Sequence, residues 1–181
     1  MTKIIRSESD PRHVTIQADD SSHELRSIGP EDADQFHSLI DYDRKHLSQH
    51  GDNTGAAFKS VEKTREILTK SQNSDRQVFG IWHDGTMKGS VYVTPTDDKS
   101  GEVGVWTGKE HAGKGHAKVS IRLLADYCFV ALGLDNIYGD IHEDNAASIH
   151  IFESQDFRHD PESGHGDFKR YVLLNDAKKA K

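Results

Sequence analysis

The sequence predicts an α/β (α+β) fold in which helices flank one central, mostly antiparallel sheet. Three observations carry that prediction. Three alternating apolar segments between Arg76 and Gly108 are broken only by short polar turns, the mark of an antiparallel meander. The segment that follows, up to Gly133, repeats its apolar residues at helical spacing. Strand-like and helix-like segments then alternate to the end of the chain.

The elements can be justified in order. Residues 1–10 show no pairing pattern and are expected as a flexible N-terminal arm, with residues 11–175 as a single domain and 176–181 as a C-terminal tail. "HVTIQ" (His13 to Gln17) and "HELRSI" (His23 to Ile28) read as strands, and the polar turn "ADDSS" between them suits a hairpin. Pro30 opens a helix, followed by Glu31, Asp32 and Asp34, which favour a positive helix N-terminus. Phe36, Leu39, Ile40 and Leu47 extend it at helical spacing. "GDNTGAA" (Gly51 to Ala57) breaks the pattern, and a second helix runs from about Ser60 to Lys70. The strand Arg76 to Asp84 ends in Asp-Gly, a strong hairpin signal, and Thr86 to Pro95 returns. After "TDDKSG" comes a third strand, Glu102 to Gly108. Ala117, Ile121, Leu124, Cys128 and Leu132 then share a helical face; Val119, Leu123 and Val130 add a second apolar flank, and Gly133 stops the helix. A strand (Asn136 to His142), a helix (Asn145 to Gln155, capped by Asn145 or Asp144) and two closing strands complete the chain.

Composition narrows the function. The 181 residues suit one domain on a scale of ~150 residues per domain. The net charge of −7 argues against a nucleic-acid partner, which needs a basic face, and mildly favours amine-bearing partners. No apolar run approaches the ~18 residues of a membrane span, and "MTKIIRSESD" lacks the apolar core of a secretory signal. The single cysteine, Cys128, excludes an internal disulfide and a cysteine-based zinc cage, and its place on the buried helix face makes it a core residue. A cytoplasmic protein is expected. Among twelve histidines, His46 and His50 stand at i and i+4, but no third ligand accompanies them, so no metal is expected. Trp82 and Trp106 fall within strands, where core packing is the ordinary role.

The stretch "HAGKGHAK" (His111 to Lys118) lies between a strand and a helix. A helix N-terminus offers unpaired N–H groups and partial positive charge, and small residues let a phosphate approach them. Ala112 to Ala117 is therefore a candidate pyrophosphate cradle, with charge from Lys114. The spacing is neither that of a P-loop nor that of a dinucleotide fingerprint, since Lys118 stands where the third glycine would be. By itself the loop reads equally as a tight strand-to-helix turn.

Taken in order, "HELRSIGPEDADQFHSLIDYDRKHLSQ", "GEVGVWTGKEHAGKGHA" and "LADYCFVALGLDNIYGDIHEDNAASIHIFESQDF" resemble the GNAT superfamily of acetyl-CoA-dependent N-acetyltransferases over residues 23 to 174. The closer likeness is to its RimL/RimJ-like branch, the ribosomal-protein N-terminal acetyltransferases. The family signature [Q/R]-x-x-G-x-[G/A] falls on Ala112, Gly113, Lys114, Gly115, His116 and Ala117, and the later N-x-x-[A/S] element on Asn145 to Ser148, followed by Phe152 and Asp156-Phe157. Ala112 departs from the usual Gln or Arg, so phosphate binding would rest on backbone amides. Asp156 replaces a glycine, a local turn adjustment. Phe152 stands where many members carry a tyrosine that protonates the leaving thiolate; Ser148 is the replacement that the branch suggests.

The resemblance implies acetyl transfer from acetyl-CoA, through a ternary complex, to a primary amine, with a protein N-terminus first. The alternatives are a small amine (an antibiotic, a polyamine or an amino-acid derivative) or a catalytically weak CoA-binding protein. The Pro30–Lys70 helices would form the acceptor wall, with His37, His46 and His142 as candidate lining, and a homodimer is common in the family. Glu102 matches the family's acidic position and is the candidate base, through water; the plain reading is a solvated strand-edge glutamate. Backbone N–H groups of Gly104, Val105, Trp106 and Thr107 would serve cofactor and oxyanion. Ser148 is a candidate proton donor or a helix serine bonded back to a carbonyl. Asn145 is a pantetheine contact, an N-cap, or both.

Overall fold

The computed structural model describes residues 2–10, 12–18, 22–49 and 53–176. Nine strands form one sheet in the order β1-β2-β3-β4-β5-β6-β7-β9-β8. They are β1 (Thr2–Arg6), β2 (Val14–Ala18), β3 (His23–Ser27), β4 (Gln77–His83), β5 (Thr86–Pro95), β6 (Ser100–Thr107), β7 (Asn136–His142), β8 (Arg158–His165) and β9 (Phe168–Leu174). Every neighbouring pair is antiparallel except β6 with β7, which are parallel. The helices are α1 (Ala33–Tyr42), α2 (Thr54–Ala57), α3 (Val61–Gln72), α4 (His116–Val130) and α5 (Ala146–Glu153). Among the described residues, no helix is long and apolar enough to cross a membrane.

Strand alternation divides the apolar side chains between two faces. Phe79, Ile81, Val91, Val93 and Val103 turn to one face, where Ile121, Leu124 and Cys128 of α4 and Phe152 of α5 cover them. Met87, Val78, Trp82 and Trp106 turn to the other, under Phe36 and Ile40 of α1 and Leu68 of α3. Cys128 is fully buried, which pushes its thiol up to about 12, so it is a core residue. The Asp84-Gly85 turn joining β4 to β5 has positive φ at both positions (50° and 71°), as a two-residue hairpin turn demands. Gly133 (φ 68°) ends α4, and Leu134 N–H returns to Cys128 O at 3.1 Å.

Three sequence expectations change. Residues 2–6 are not a loose arm: they pair with β2 in register from Thr2–Ala18 to Arg6–Val14, and Thr2 Oγ1 donates to Asp126 of α4. The first helix stops at Tyr42, well before Gln49. There the Asp43 carboxylate is drawn to Lys109 N (2.8 Å), and Arg44 donates to the carbonyls of Gly55 and Phe58. Those carbonyls belong to the segment around α2, a single turn too short to show a period. Val130, expected on an apolar flank, is 78% exposed in the last turn of α4. Of the expected tail, Asp176 lies in the described part and residues 177–181 lie outside it.

Asp43 is buried, and its bond to Lys109 N fixes the start of the segment that leads into the glycine loop. Asp43→Ala is expected to cost about 1.5–3 kcal/mol, the worth of a hydrogen bond to a charged group. Urea unfolding would show it as a lower midpoint at unchanged slope.

Candidate active site

The parallel pairing of β6 with β7 covers three residue pairs, Ser100–Asn136 to Glu102–Tyr138. Beyond them β6 continues beside β5 as far as Thr107, while β7 continues beside β9 as far as His142. The two strands therefore part. Phe152 of α5, 3% exposed, packs at the base of the opening. A Cβ on Gly139 would stand 2.8 Å from Phe152 Cζ, so only glycine leaves room for that ring. Past Glu102 the backbone of β6 has no strand partner on its β7 side among the described residues. Unpaired amides of this kind seek an external partner.

Two cavities open on either side of the gap, and Val105, Trp106, Asn145 and Ser148 line both. The first, about 510 Å³, is bordered by the loop from His111 to Lys118 and by Thr107. Gly113 and Gly115 have φ of 71° and 85°, and Gly115 caps α4. Any other residue would be strained there, although a Cβ would meet nothing within 4 Å. The loop thus bares the first amides of a 15-residue helix to an open cavity. Lys118, His46 and His111 add basic groups to its border, while Lys114 is exposed and outside the lining. The residues present fit a pyrophosphate held by backbone amides, with Ala112 supplying no side-chain donor.

The second cavity, about 540 Å³, holds Glu102, Tyr92 and Arg76. Tyr92 lies opposite Gly104 on the neighbouring strand. A Cβ on Gly104 would come within 2.7 Å of Tyr92 Cζ, so the bare glycine lets the phenol lean over it. Tyr92 then donates to Glu102 Oε1 at 2.8 Å, and the Arg76 guanidinium stacks 3.6 Å over its ring. Burial first, and the Glu102 charge second, hold the Tyr92 proton well above its usual range, so the phenol stays a donor. On the far side Asp140 is held by Arg170 through two bonds of 2.8 and 2.7 Å. Phe58, Thr54 and Asn53, around α2, close the outer wall.

Several site residues expected from the sequence come together here. Glu102 faces the second cavity; Val105, Trp106, Asn145 and Ser148 border both, and Thr107, Ala112, Gly113, Gly115, His116 and Ala117 border the first. Asn145 caps α5, its Oδ1 accepting from Ser148 N at 3.1 Å. The Ser148 hydroxyl makes no hydrogen bond to any described residue, unlike Ser38 and Ser48, which bond back to the carbonyls of Asp34 and Arg44. Phe152, expected at the cofactor, is buried and lines the second cavity. His116 is buried, its ring turned to His23 and His83. His142 lines the second cavity, while His37 sits 3.3 Å from Thr64 on α3; His50 lies outside the described residues. Tyr92 and Arg76 were not legible as site residues, because their role depends on a cross-strand lean over a glycine.

A family model described as an acetyltransferase (GNAT) domain matches residues 23–158. No curated protein matches the chain by sequence. Among solved structures, the chain is similar to Mycobacterium smegmatis RimJ in complex with CoA-disulfide, with TM-score 0.74 and 18% identity over 97% of this chain and 88% of that one. It is also similar to the ribosomal-protein-S5-alanine acetyltransferase of Vibrio fischeri, with TM-score 0.77 and 19% identity over 88% and 96%. A third is the spermidine N-acetyltransferase of Vibrio cholerae in complex with CoA and spermine, with TM-score 0.72 and 23% identity over 86% and 96%. At such identities these likenesses show the fold.

Asn145→Ala removes the cap of α5 and is expected to lower stability by about 0.5–2 kcal/mol, whereas Asn145→Asp retains most of it. Thermal melts of the three proteins check the order.

Proposed function

The chain belongs to the GNAT acetyltransferase family, and from that premise we propose that it moves an acetyl group from acetyl-CoA to the α-amine of a peptide N-terminus by direct transfer. Membership makes it an acetyl-CoA-dependent N-acetyltransferase. The observation that carries the finer reading is the meeting of the two cavities at Val105 and Ser148, with an amide-rich loop on one side and a carboxylate on the other.

The loop amides of Gly113 to Ala117 would hold the pyrophosphate, and the open edge of β6 would pair with the pantetheine arm. Backbone N–H groups along Gly104 to Thr107 would stabilise the oxygen that gains charge as the amine attacks. The amine nitrogen forms a bond to the acetyl carbon, and the carbon–sulfur bond breaks with its electron pair on sulfur. The proton lost by the amine goes to Glu102, directly or through water. The unbonded Ser148 hydroxyl, on the border of both cavities, would relay to the departing thiolate the second proton, which the nitrogen sheds as the intermediate collapses, and so ends as the hydroxyl it began. Such transfers contribute roughly 10²–10⁴-fold each.

The second cavity favours a single ammonium. Of its carboxylates Asp140 is neutralised by Arg170, and Arg76 adds a positive charge beside Glu102. A polyamine would find one uncompensated carboxylate; a peptide N-terminus needs no more. Calorimetry with acetyl-CoA and a thiol-release assay over N-terminal peptides, spermidine and small amines test this. Turnover confined to peptides supports the reading. Preference for spermidine or a small amine would replace the acceptor, and tight binding without turnover would make the chain a CoA-binding module.

Glu102→Gln is expected to lower turnover at neutral pH by roughly 10²-fold or more, with little change in acetyl-CoA affinity. The deficit should shrink as pH rises past the reference α-amine value of about 8, where the free amine no longer needs a base. An unchanged rate at neutral pH would remove Glu102 from the role. Tyr92→Phe should give a smaller loss, because the phenol only orients the carboxylate.

A further inference from the structure

Three imidazoles from distant parts of the sequence meet at the N-terminal end of α4. His23 opens β3, His83 closes β4 as its register partner, and His116 is the first residue of α4. His23 Nε2 lies 2.8 Å from His116 Nδ1. The rings of His23 and His83 stack at 4.0 Å between centroids, and His116 stands 5.0 Å from each. One ring nitrogen from each residue falls within 4.8 Å of the other two.

We infer that His23, His83 and His116 form a binding site for one divalent transition-metal ion of borderline softness, of which Zn²⁺ is the reference. Imidazole is the ligand such ions prefer, and three of them with a fourth position for water make a complete set. Zinc–nitrogen bonds of about 2.0–2.1 Å at tetrahedral angles separate the nitrogens by roughly 3.3 Å. The His23–His116 pair need open only by about half an ångström, while His83 swings inward. His83 is well placed for that: Nδ1 is 2.8 Å from Ser22 Oγ and Nε2 is 3.3 Å from Asp84 Oδ2. Whichever nitrogen takes the ion, the other keeps an oxygen partner that orients the ring. The local charges agree. No Lys or Arg is among these partners of the three rings, whose ion-pair partner is the carboxylate of Asp84. Neutral imidazole is the form that binds metal. The site is independent of the i, i+4 pair that the sequence suggested, because its members are joined by strand register and by the start of α4.

The full chain, made without a histidine tag and dialysed against chelator, is titrated with ZnCl₂ by calorimetry and with CoCl₂ by absorption spectroscopy. One equivalent of Zn²⁺ is expected to bind with micromolar or tighter affinity, about −8 kcal/mol or better, and Co²⁺ to give the intense visible bands of a four- or five-coordinate ion. His83→Ala, which removes one of the two partly exposed rings, should weaken Zn²⁺ binding by at least ~100-fold, and His159→Gln, on β8, should leave it unchanged. Circular dichroism checks that the His83 variant is folded; if it is not, the Co²⁺ spectrum of the unmutated chain decides alone. Equal affinity in the unmutated and His83→Ala proteins, several weak equivalents, or the pale spectrum of octahedral Co²⁺ would overturn the assignment.

Discussion

The parallel ladder between β6 and β7 ends at Glu102 and Tyr138, and the ring of Phe152 against Gly139 holds the strands apart from there on. A sheet normally satisfies its amides internally. Here one strand edge is left open in the middle of the molecule, between two covered faces. The glycine loop and the carboxylate sit on opposite sides of that opening because β6 runs past both. Its early residues carry Glu102, and its end leads into the loop that starts α4. A single strand thus sets the distance between the two halves of the site.

The two halves differ in kind. The loop side presents backbone groups and histidine and lysine side chains, in a protein whose formal charge is −7. The other side presents one carboxylate held by a phenol, itself held by a guanidinium. Gly104 serves this second half by lacking a side chain, as Gly139 serves the gap between β6 and β7. Both glycines are sites of close approach rather than of unusual backbone angle. Asp156 is the reverse case: it stands at φ 65°, where the resembled family keeps glycine, and a short polar residue tolerates that left-handed geometry.

Much of the architecture was legible because it is local. The Asp-Gly hairpin, the apolar face of α4 with its glycine stop, and the cap of α5 each announce themselves within a few residues. What was not legible depends on partners remote in sequence. The segment Thr2–Arg6 looks like an arm until β2 and Asp126 are set beside it. One turn of helix at Thr54–Ala57 is too short for periodicity, and the early end of α1 is decided by Asp43 reaching a residue 66 positions later. In the candidate site, the glycine loop and Glu102 could be picked out from spacing and resemblance. Tyr92 could not, since its role needs the gap over Gly104. The histidines 23, 83 and 116 could not either, since only strand register and the start of α4 bring them together.

Asp43 ties the end of α1 to the segment leading into the first cavity through its bond to Lys109 N, and its neighbour Arg44 holds the α2 wall of the second cavity through the carbonyls of Gly55 and Phe58. Two adjacent side chains therefore anchor parts of two binding surfaces. Whatever order a ligand on one side imposes on that anchor is order that a ligand on the other side no longer has to create. Linkage makes the effect mutual: the free energy that one substrate lends to the binding of the other is returned in equal measure. The turn that carries Asp43 and Arg44 is in this sense a shared term in two affinities, and it belongs to neither substrate alone.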